Sequence, residues 1–239
     1  INYAQQFISA NLQYLFINDN ESLSMGNIDF TLCTWVRFDT LENQAIIGKW
    51  NTATSNREYL ISYDANQFKF YGSFTGAEYV EADSGSSVSA STWHFIAAWH
   101  DSKLDTINIT VDNGLSASAA FSPNGIYDGT AKFSIGETAN VWFLNGQVDG
   151  VGIWKKKLPA DELSFLYNSG SGRDYPFLNP QLSISTDFPN ITSVGKYLKN
   201  YTLNRWRSSD LDRVSPGTLS LVLDNQNGLF LPLNTSSSL

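Results

Sequence analysis

The 239-residue chain is almost without cysteine, since Cys33 is its one thiol. A single cysteine excludes an internal disulfide and a thiolate metal cluster, and we expect Cys33 to be a small buried residue in a strand. No apolar run approaches the roughly 20 residues that cross a bilayer, so membrane insertion is not expected. The sequence starts at Ile1 without a signal peptide and ends in a serine-rich tail, which suggests a fragment of a larger protein.

Charged residues are also sparse, at 16% of the chain, and the net charge is −8. An acidic chain repels a phosphate backbone, so a nucleic-acid partner is not expected. The acidity is uneven: five basic and four acidic residues follow Asn179, so the first 179 residues carry about −9. Aromatic residues reach 14%, a composition that favours packed sheets over disorder. Two segments of different character are the simplest interpretation.

Alternating apolar residues predict a series of strands. The strongest pattern covers 29–39 (DFTLCTWVRFD), where both faces are largely apolar, as expected of a central strand in a two-layer stack. Turn signals such as Asp112-Asn113-Gly114 separate the strands, and no helix pattern lies between them. These features indicate an antiparallel sandwich. The other predicted strands are two short ones within 6–17, then 45–50, 58–63, 67–74, 92–100, 106–112 and 132–136.

The segment 143–169 (FLNGQVDGVGIWKKKLPADELSFLYNS) ends this series with one more strand and one short helix. Alternation over 147–154 predicts that Val148 and Trp154 share one face of the strand and that Ile153 lies on the other. Pro159 suits the first turn of a helix over about 159–168, which Asn168 and the residues after it end. Its apolar face consists of Leu163, Leu166 and Tyr167.

This ending resembles the close of a laminin-G-like, concanavalin A-type jelly roll, which usually reads G-x-I-D-x-V-x-I-(Y/W)…L-(S/P)-x-(D/E)-E-(L/I). The segments 29–39 and 92–114 resemble the same family's central strands. The resemblance implies an all-β fold over residues 1–175, an antiparallel two-sheet jelly-roll sandwich with one short helix. The matching residues at the close are Gly146, Val148, Asp149, Val151, Ile153, Trp154, Leu158, Asp161, Glu162 and Leu163.

The family resemblance implies sugar binding, in which sugar rings stack on aromatic faces and polar loop groups bond the hydroxyls. The alternative is that the candidate aromatics are rim residues closing the sandwich. The candidates are the loop aromatics Trp50, Tyr79, Tyr127 and Trp142.

Calcium is common in this family, held by carboxylate and carbonyl oxygens. The resemblance makes Asp149, at the "I-D" position, and Asp19, in the opening turn, the candidate ligands. The alternative is that Asp149 bonds backbone N–H groups and that Asp19 shapes its turn.

The same family includes glucanases, which carry paired carboxylates on one strand in the pattern E-x-D-x-(x)-E. That pattern is absent here, and the nearest group, Glu78, Glu81 and Asp83, has the wrong spacing. His94 and His100 lie six residues apart on one predicted strand and are interpreted as structural. We therefore expect a protein that is not an enzyme.

The segment after about 183 resembles the start of a β module in minor tail and tail-tip proteins of long-tailed bacteriophages. We expect a linker at 176–182, a partial module at 183–239 and strands at 197–206 and 218–224. Trp206 departs from the family's usual glycine. The matching residues are Arg205, Arg207, Ser208, Leu211, Asp212, Pro216, Gly217, Thr218, Leu223, Asp224, Asn225, Gly228, Phe230, Pro232 and Asn234.

The two resemblances together imply a virion protein of a phage tail tip whose lectin-like domain recognises a host-surface glycan or decorates the particle. Expected partners are other tail subunits and the glycan, with homo-oligomers set by tail symmetry. Arg205, Arg207 and Arg213 are candidates for an assembly contact, or else belong to a solvated charged turn. The alternatives are a cellular or secreted lectin-like adhesion module, at the cell surface or extracellular, and a glycan-processing enzyme.

Overall fold

Twelve strands within residues 5–154 form two antiparallel sheets of six strands each. The computed structural model describes residues 4–86, 88–139, 141–173, 198–204 and 218–223. The strands are β1 (Gln5–Phe7), β2 (Leu15–Ile17), β3 (Phe30–Phe38), β4 (Gln44–Asn51), β5 (Asn56–Asp64), β6 (Gln67–Ser73), β7 (Tyr79–Asp83), β8 (Trp93–Asp101), β9 (Thr106–Val111), β10 (Ala117–Ala120), β11 (Phe133–Ile135) and β12 (Gly146–Trp154).

The strand order is β1-β12-β3-β8-β9-β10 in the first sheet and β2-β11-β4-β5-β6-β7 in the second. Every neighbouring pair is antiparallel. One short helix, α1 (Ala160–Tyr167), follows β12. The predicted two-sheet jelly roll with one helix is therefore confirmed. The strands β7 and β10 were not predicted, since neither shows a clear apolar alternation.

The main core lies between the two sheets, because its buried side chains come from both. Leu32 and Ile96 project into it from the first sheet, and Ile47, Tyr59 and Phe70 from the second. Aromatic rings pack closely there, as the centres of Phe30 and Tyr59 are 5.6 Å apart. Burial of this much apolar surface is the main source of the fold's stability.

The outer face of the first sheet is covered by α1. Leu163 and Leu166 of the helix pack on Cys33 and Phe95, and the ring of Tyr167 stacks on Trp35 at 5.8 Å between centres. Apolar residues therefore occupy both faces of β3, as the sequence predicted. The helix ends at Asn168, whose left-handed backbone (φ 49°) lets its N–H bond the Ser164 carbonyl.

The predicted face of Val148 was wrong because β12 contains a bulge. The pairing with β3 shifts between Asp149 and Gly152, and Gly150 takes the left-handed conformation (φ 58°) that glycine adopts readily. Because of the extra residue, the side chains after the bulge alternate between the two faces out of step with those before it. Val148 thus joins Ile153 in the main core, whereas Trp154 packs on the α1 side.

The chain consists of two compact units, Ile1–Leu178 and Asn179–Leu239. The sandwich and α1 belong to the first unit, and the second contains one described hairpin. In this hairpin, β13 (Leu198–Asn204) pairs antiparallel with β14 (Thr218–Leu223). Both lie within predicted strands. The predicted linker at 176–182 lies outside the described residues, as do Arg205, Arg207 and Arg213.

No helix of the described residues has the length and apolar character needed to span a bilayer.

Candidate functional site

Three aromatic side chains gather on the outer face of the second sheet. Trp50 of β4, Tyr71 of β6 and Tyr79 at the start of β7 contact one another, with ring centres 5.5–5.8 Å apart. Trp50 is only 8% exposed because Ala45, Leu60 and Tyr71 surround it, while Tyr79 is 49% exposed. Trp50, which ends the predicted strand 45–50, belongs to β4 and Tyr79 begins β7, so their description as loop aromatics was wrong. Tyr79 is therefore the exposed ring of the cluster, and Trp50 and Tyr71 are largely buried beside it.

An open cavity of about 300 Å³ lies over this cluster. Trp142, from the loop between β11 and β12, contributes its indole to the cavity wall, as does Val141 beside it. That loop is tied to β4, since the Thr138 hydroxyl donates to the Trp50 carbonyl at 3.1 Å and Gly136 N–H bonds the Ile46 carbonyl at 2.8 Å. The described part of the chain places no helix over this face.

Arg57 reaches this face because β5 carries a bulge. Lys49 pairs with Tyr59 but Trp50 pairs with Arg57, so Glu58 is an extra residue in β5. Such an insertion reverses the side to which the next residue points. Arg57 therefore lies beside Trp50, with its guanidinium carbon 5.9 Å from the Trp50 ring centre and 5.7 Å from that of Tyr79. Both distances fall in the cation–π range.

The other side of the cavity is acidic, and one lysine neutralises part of its charge. Asp64 and Glu81 line it, and the Lys69 ammonium lies 3.9 Å from Asp64 and 3.0 Å from Glu81. Partial burial acts to lower the pKa of Lys69, but the hydrogen bond to Glu81 and the nearby carboxylates raise it above its ordinary value. The Tyr71 hydroxyl donates to Asp64 at 2.9 Å. Burial and this carboxylate raise the pKa of Tyr71, so the phenol stays protonated.

Tyr127 does not line the cavity. It is 37% exposed, its N–H bonds the Ser73 carbonyl at 2.8 Å, and its ring packs close to Gly76 and Gly129. Its loop is fixed to β5, because Gly129 N–H donates to Glu58 at 3.2 Å. Trp50, Tyr79 and Trp142 are thus brought together, and Tyr127 lies on the neighbouring loop.

Asp19 and Asp149, the candidate calcium ligands, do not form a shared site. Asp19 follows β2 of the second sheet, and its carboxylate accepts from the Lys49 ammonium at 2.7 Å. Asp149 lies in the first sheet and accepts the Gly150 N–H at 2.7 Å. Among the described residues, no group of three or more His, Cys, Asp or Glu side chains could hold a metal ion. The ammonium beside Asp19 repels a cation, so these residues do not fit calcium.

The histidines occupy structural positions. His94 Nδ1 lies 2.8 Å from Asp112, and His100 Nδ1 lies 2.8 Å from the Ile28 carbonyl. Both rings are buried. Cys33 is buried under α1, and burial raises the pKa of its thiol.

Two further residues of the site, Arg57 and Tyr71, were not predicted from the sequence. Tyr71 carried a signal, because it alternates with Phe68 and Phe70 of the core and so had to point outward from β6. No local signal pointed to Arg57, since regular alternation from Tyr59 would turn it inward.

A family model described as the concanavalin A-like lectin/glucanases superfamily matches residues 10–164. Among solved structures, the binding domain of Paraclostridial mosquitocidal protein 1 is similar, with a TM-score of 0.56 and 15% identity over 70% of this chain and 43% of that one. The binding domain of botulinum neurotoxin DC, in complex with rat synaptotagmin II, gives a TM-score of 0.51 and 15% identity over 65% and 40%.

A structure of botulinum neurotoxin type C, a toxin that depends on two ganglioside molecules to get into cells, gives a TM-score of 0.51 and 15% identity over 65% of this chain and 39% of that one. The chain thus spans about two fifths of the length of these toxin chains. At such low identity the likeness extends to the fold alone. No curated protein matches the sequence.

Proposed function

The chain belongs to the concanavalin A-like lectin/glucanase superfamily, and on that premise we propose that it binds a glycan at the cavity of the second sheet and does not cleave it. The observation that carries the proposal is the cavity, which Trp50, Tyr79 and Trp142 line beside polar side chains. Sugar rings present C–H groups that stack on aromatic faces, while their hydroxyls need hydrogen-bond partners. Both kinds of group line this cavity.

Binding without turnover fits the state of the cavity's carboxylates. A glycosidase needs one carboxyl group that delivers a proton to the leaving group and a second that acts as nucleophile or base. Here Lys69 contacts both Asp64 and Glu81, and Tyr71 donates to Asp64. Each carboxylate is therefore already engaged in holding the sheet face together. The toxin domains of similar fold are binding domains as well.

A glycan panel tests the proposal with the full chain as the probe. We expect saturable binding to at least one glycan, unaffected by EDTA because Asp19 and Asp149 do not fit calcium. Trp142→Ala and Tyr79→Ala remove stacking surface and should weaken binding about threefold to tenfold each.

Phe16→Ala is the matched control, since Phe16 is also an exposed strand aromatic, 54% against 49% for Tyr79, but lies on β2 at the sheet's opposite edge. Products are followed by mass spectrometry over the same period. A folded chain that binds no glycan would refute the proposal, and shortened glycans would favour the glycan-processing alternative.

We propose further that this lectin-like domain acts on a phage tail tip, where it recognises a host-surface glycan or decorates the virion. The resemblance of residues 205–234 to tail-tip modules supports this role, and the β13–β14 hairpin agrees with its expected strands. Other tail subunits and further copies of the chain would then be partners, through Arg205, Arg207 and Arg213.

Immunogold labelling of phage particles from the source strain tests the location. Label at the tail tip is the expected result, together with tail genes on both sides of the coding region. Label on cells and an upstream secretion signal would instead favour the adhesion-module alternative.

A further inference from the structure

We propose that the cavity selects a sugar that carries a carboxylate and that Arg57 binds this group. The inference rests on the proposed glycan-binding function and names the class of glycan. It arises from an arginine that lines an aromatic cavity yet has no carboxylate partner within ion-pair distance among the described residues.

The guanidinium of Arg57 has donors to spare. Its Nη1 donates to the Ala77 carbonyl, and its Nε, although buried, has no hydrogen-bond partner among the described residues. A guanidinium carries five N–H donors in a planar fork whose geometry matches a carboxylate. Because Arg57 lines the cavity, a ligand carboxylate there can accept from the guanidinium N–H groups that the Ala77 carbonyl does not engage.

Two other cations, Lys69 and Lys49, form ion pairs with carboxylates, whereas Arg57 does not. The ammonium of Lys69 contacts two carboxylates, and the ammonium of Lys49 contacts Asp19 and Glu58 within 2.7 Å. Of these three cations, Arg57 is the one without a carboxylate within ion-pair distance among the described residues. The positive charge is therefore available to an anionic ligand.

The position of the guanidinium is also fixed before any ligand arrives. The rings of Trp50 and Tyr79 flank it at 5.9 and 5.7 Å, and the Ala77 carbonyl holds one of its nitrogens. Ordering a long side chain in advance lowers the entropy lost on binding. The cavity thus presents a pre-positioned guanidinium that can bind a ligand carboxylate, next to aromatic rings on which a sugar can stack.

The opposite side of the cavity suits the neutral part of a sugar. The oxygens of Asp64 and Glu81 accept hydrogen bonds from hydroxyls, while their charges repel a second anionic group. We therefore expect a ligand with one carboxylate at the Arg57 end and a hydroxyl-rich body over the rings. Densely charged polyanions should bind less well, because the chain as a whole is acidic.

Matched pairs of probes test the inference with the full chain. One pair is sialyllactose and lactose, and the second is a glucuronate-containing tetrasaccharide and its carboxyl-reduced form. We expect each carboxylated probe that binds to do so about 10- to 100-fold more tightly than its neutral partner. A sulfated tetrasaccharide distinguishes the carboxylate fork from simple attraction of anions. Binding of the sulfated probe as tight as that of the carboxylated one would overturn the assignment of a carboxylate.

Arg57→Gln should abolish the preference for the carboxylated probes, and Arg57→Lys should restore it only in part, since an ammonium lacks the planar fork. Lys103→Gln is the control, because it removes one positive charge from an exposed turn between β8 and β9. Circular dichroism checks that each variant is folded.

The experiment distinguishes failure of the glycan-binding proposal from failure of the role assigned to Arg57. If the wild-type chain binds neither member of any pair nor any glycan of the panel, the glycan-binding proposal itself fails. If it binds neutral and carboxylated probes equally and Arg57→Gln changes nothing, glycan binding stands and the role of Arg57 is overturned.

Discussion

Lys49 and Glu58 form an ion pair of 2.7 Å in which both side chains are fully closed to solvent. The pair exists because the β5 bulge places Glu58 next to Lys49 and at the same time turns Arg57 outward. Burial acts to lower the pKa of Lys49, but its hydrogen bonds to Asp19 and Glu58 raise it above its ordinary value. Burial raises the pKa of Glu58 to about 7, although Lys49 opposes that rise. One Glu58 oxygen has no hydrogen-bond partner among the described residues.

The stability of the chain should depend on the protonation of Glu58. Its pKa is higher in the folded state than the ordinary 4.5, so its contribution is fully present below pH 4.5 and is lost as the pH rises through about 7. The change amounts to roughly 3 kcal/mol. Urea unfolding at pH 5, 6, 7 and 8 should show this fall in the wild type and not in Glu58→Gln. Parallel pH profiles for the two proteins would contradict the assignment.

Lys49→Met should destabilise the fold by about 3–5 kcal/mol at pH 8, because it leaves a buried carboxylate without its counter-ion. The loss should be smaller at pH 5, where Glu58 takes up a proton. The double variant Lys49→Met, Glu58→Gln should recover much of the loss at pH 8. Additive losses in this double-mutant cycle would mean that the two residues act independently.

Gly48→Ala should destabilise the sheet under the aromatic cluster. A Cβ at position 48 would lie 2.5 Å from the Tyr59 carbonyl oxygen and 2.9 Å from the α-carbon of Leu60, and backbone atoms cannot move aside easily. We expect a loss of about 2–3 kcal/mol, typical of overpacking in a dense region. Gly85→Ala is the comparison, since Gly85 has a left-handed backbone (φ 63°) but no atom within 4 Å of a new Cβ. Its loss should stay near 1 kcal/mol, and equal losses in thermal or urea unfolding would refute the steric argument.

Leu166→Ala should weaken the fold by about 2–4 kcal/mol and leave glycan affinity unchanged. Leu166 is buried where α1 covers the first sheet, whereas the candidate site lies on the second sheet. Unfolding by urea and titration with the best glycan of the panel measure the two effects separately. A loss of affinity in the folded variant would show that the covered face takes part in binding.

The sequence by itself determined the class of fold and most of its strands. Alternation of apolar residues is a local property that can be recognised in the sequence. Both faces of β3 are apolar, and in the structure one face packs in the main core and the other against α1. The helix near Pro159 and the burial of Cys33 also followed from neighbouring residues. The edge strands β7 and β10 did not, because their mixed composition becomes ordered only by pairing with β6 and β9.

Only the tertiary structure decided which side chains share the cavity. One extra residue in a strand breaks the alternation between the side chains that precede it and those that follow it. A bulge depends on the register with the partner strand rather than on local composition. The insertions at Glu58 and Gly150 therefore moved Arg57 to the site and Val148 into the core, contrary to simple alternation. The same cavity is lined by Trp50, Tyr79 and Trp142, although roughly ninety residues of sequence separate the first from the last. Long-range strand pairing brings β4, β7 and the loop before β12 together, and no local pattern predicts it.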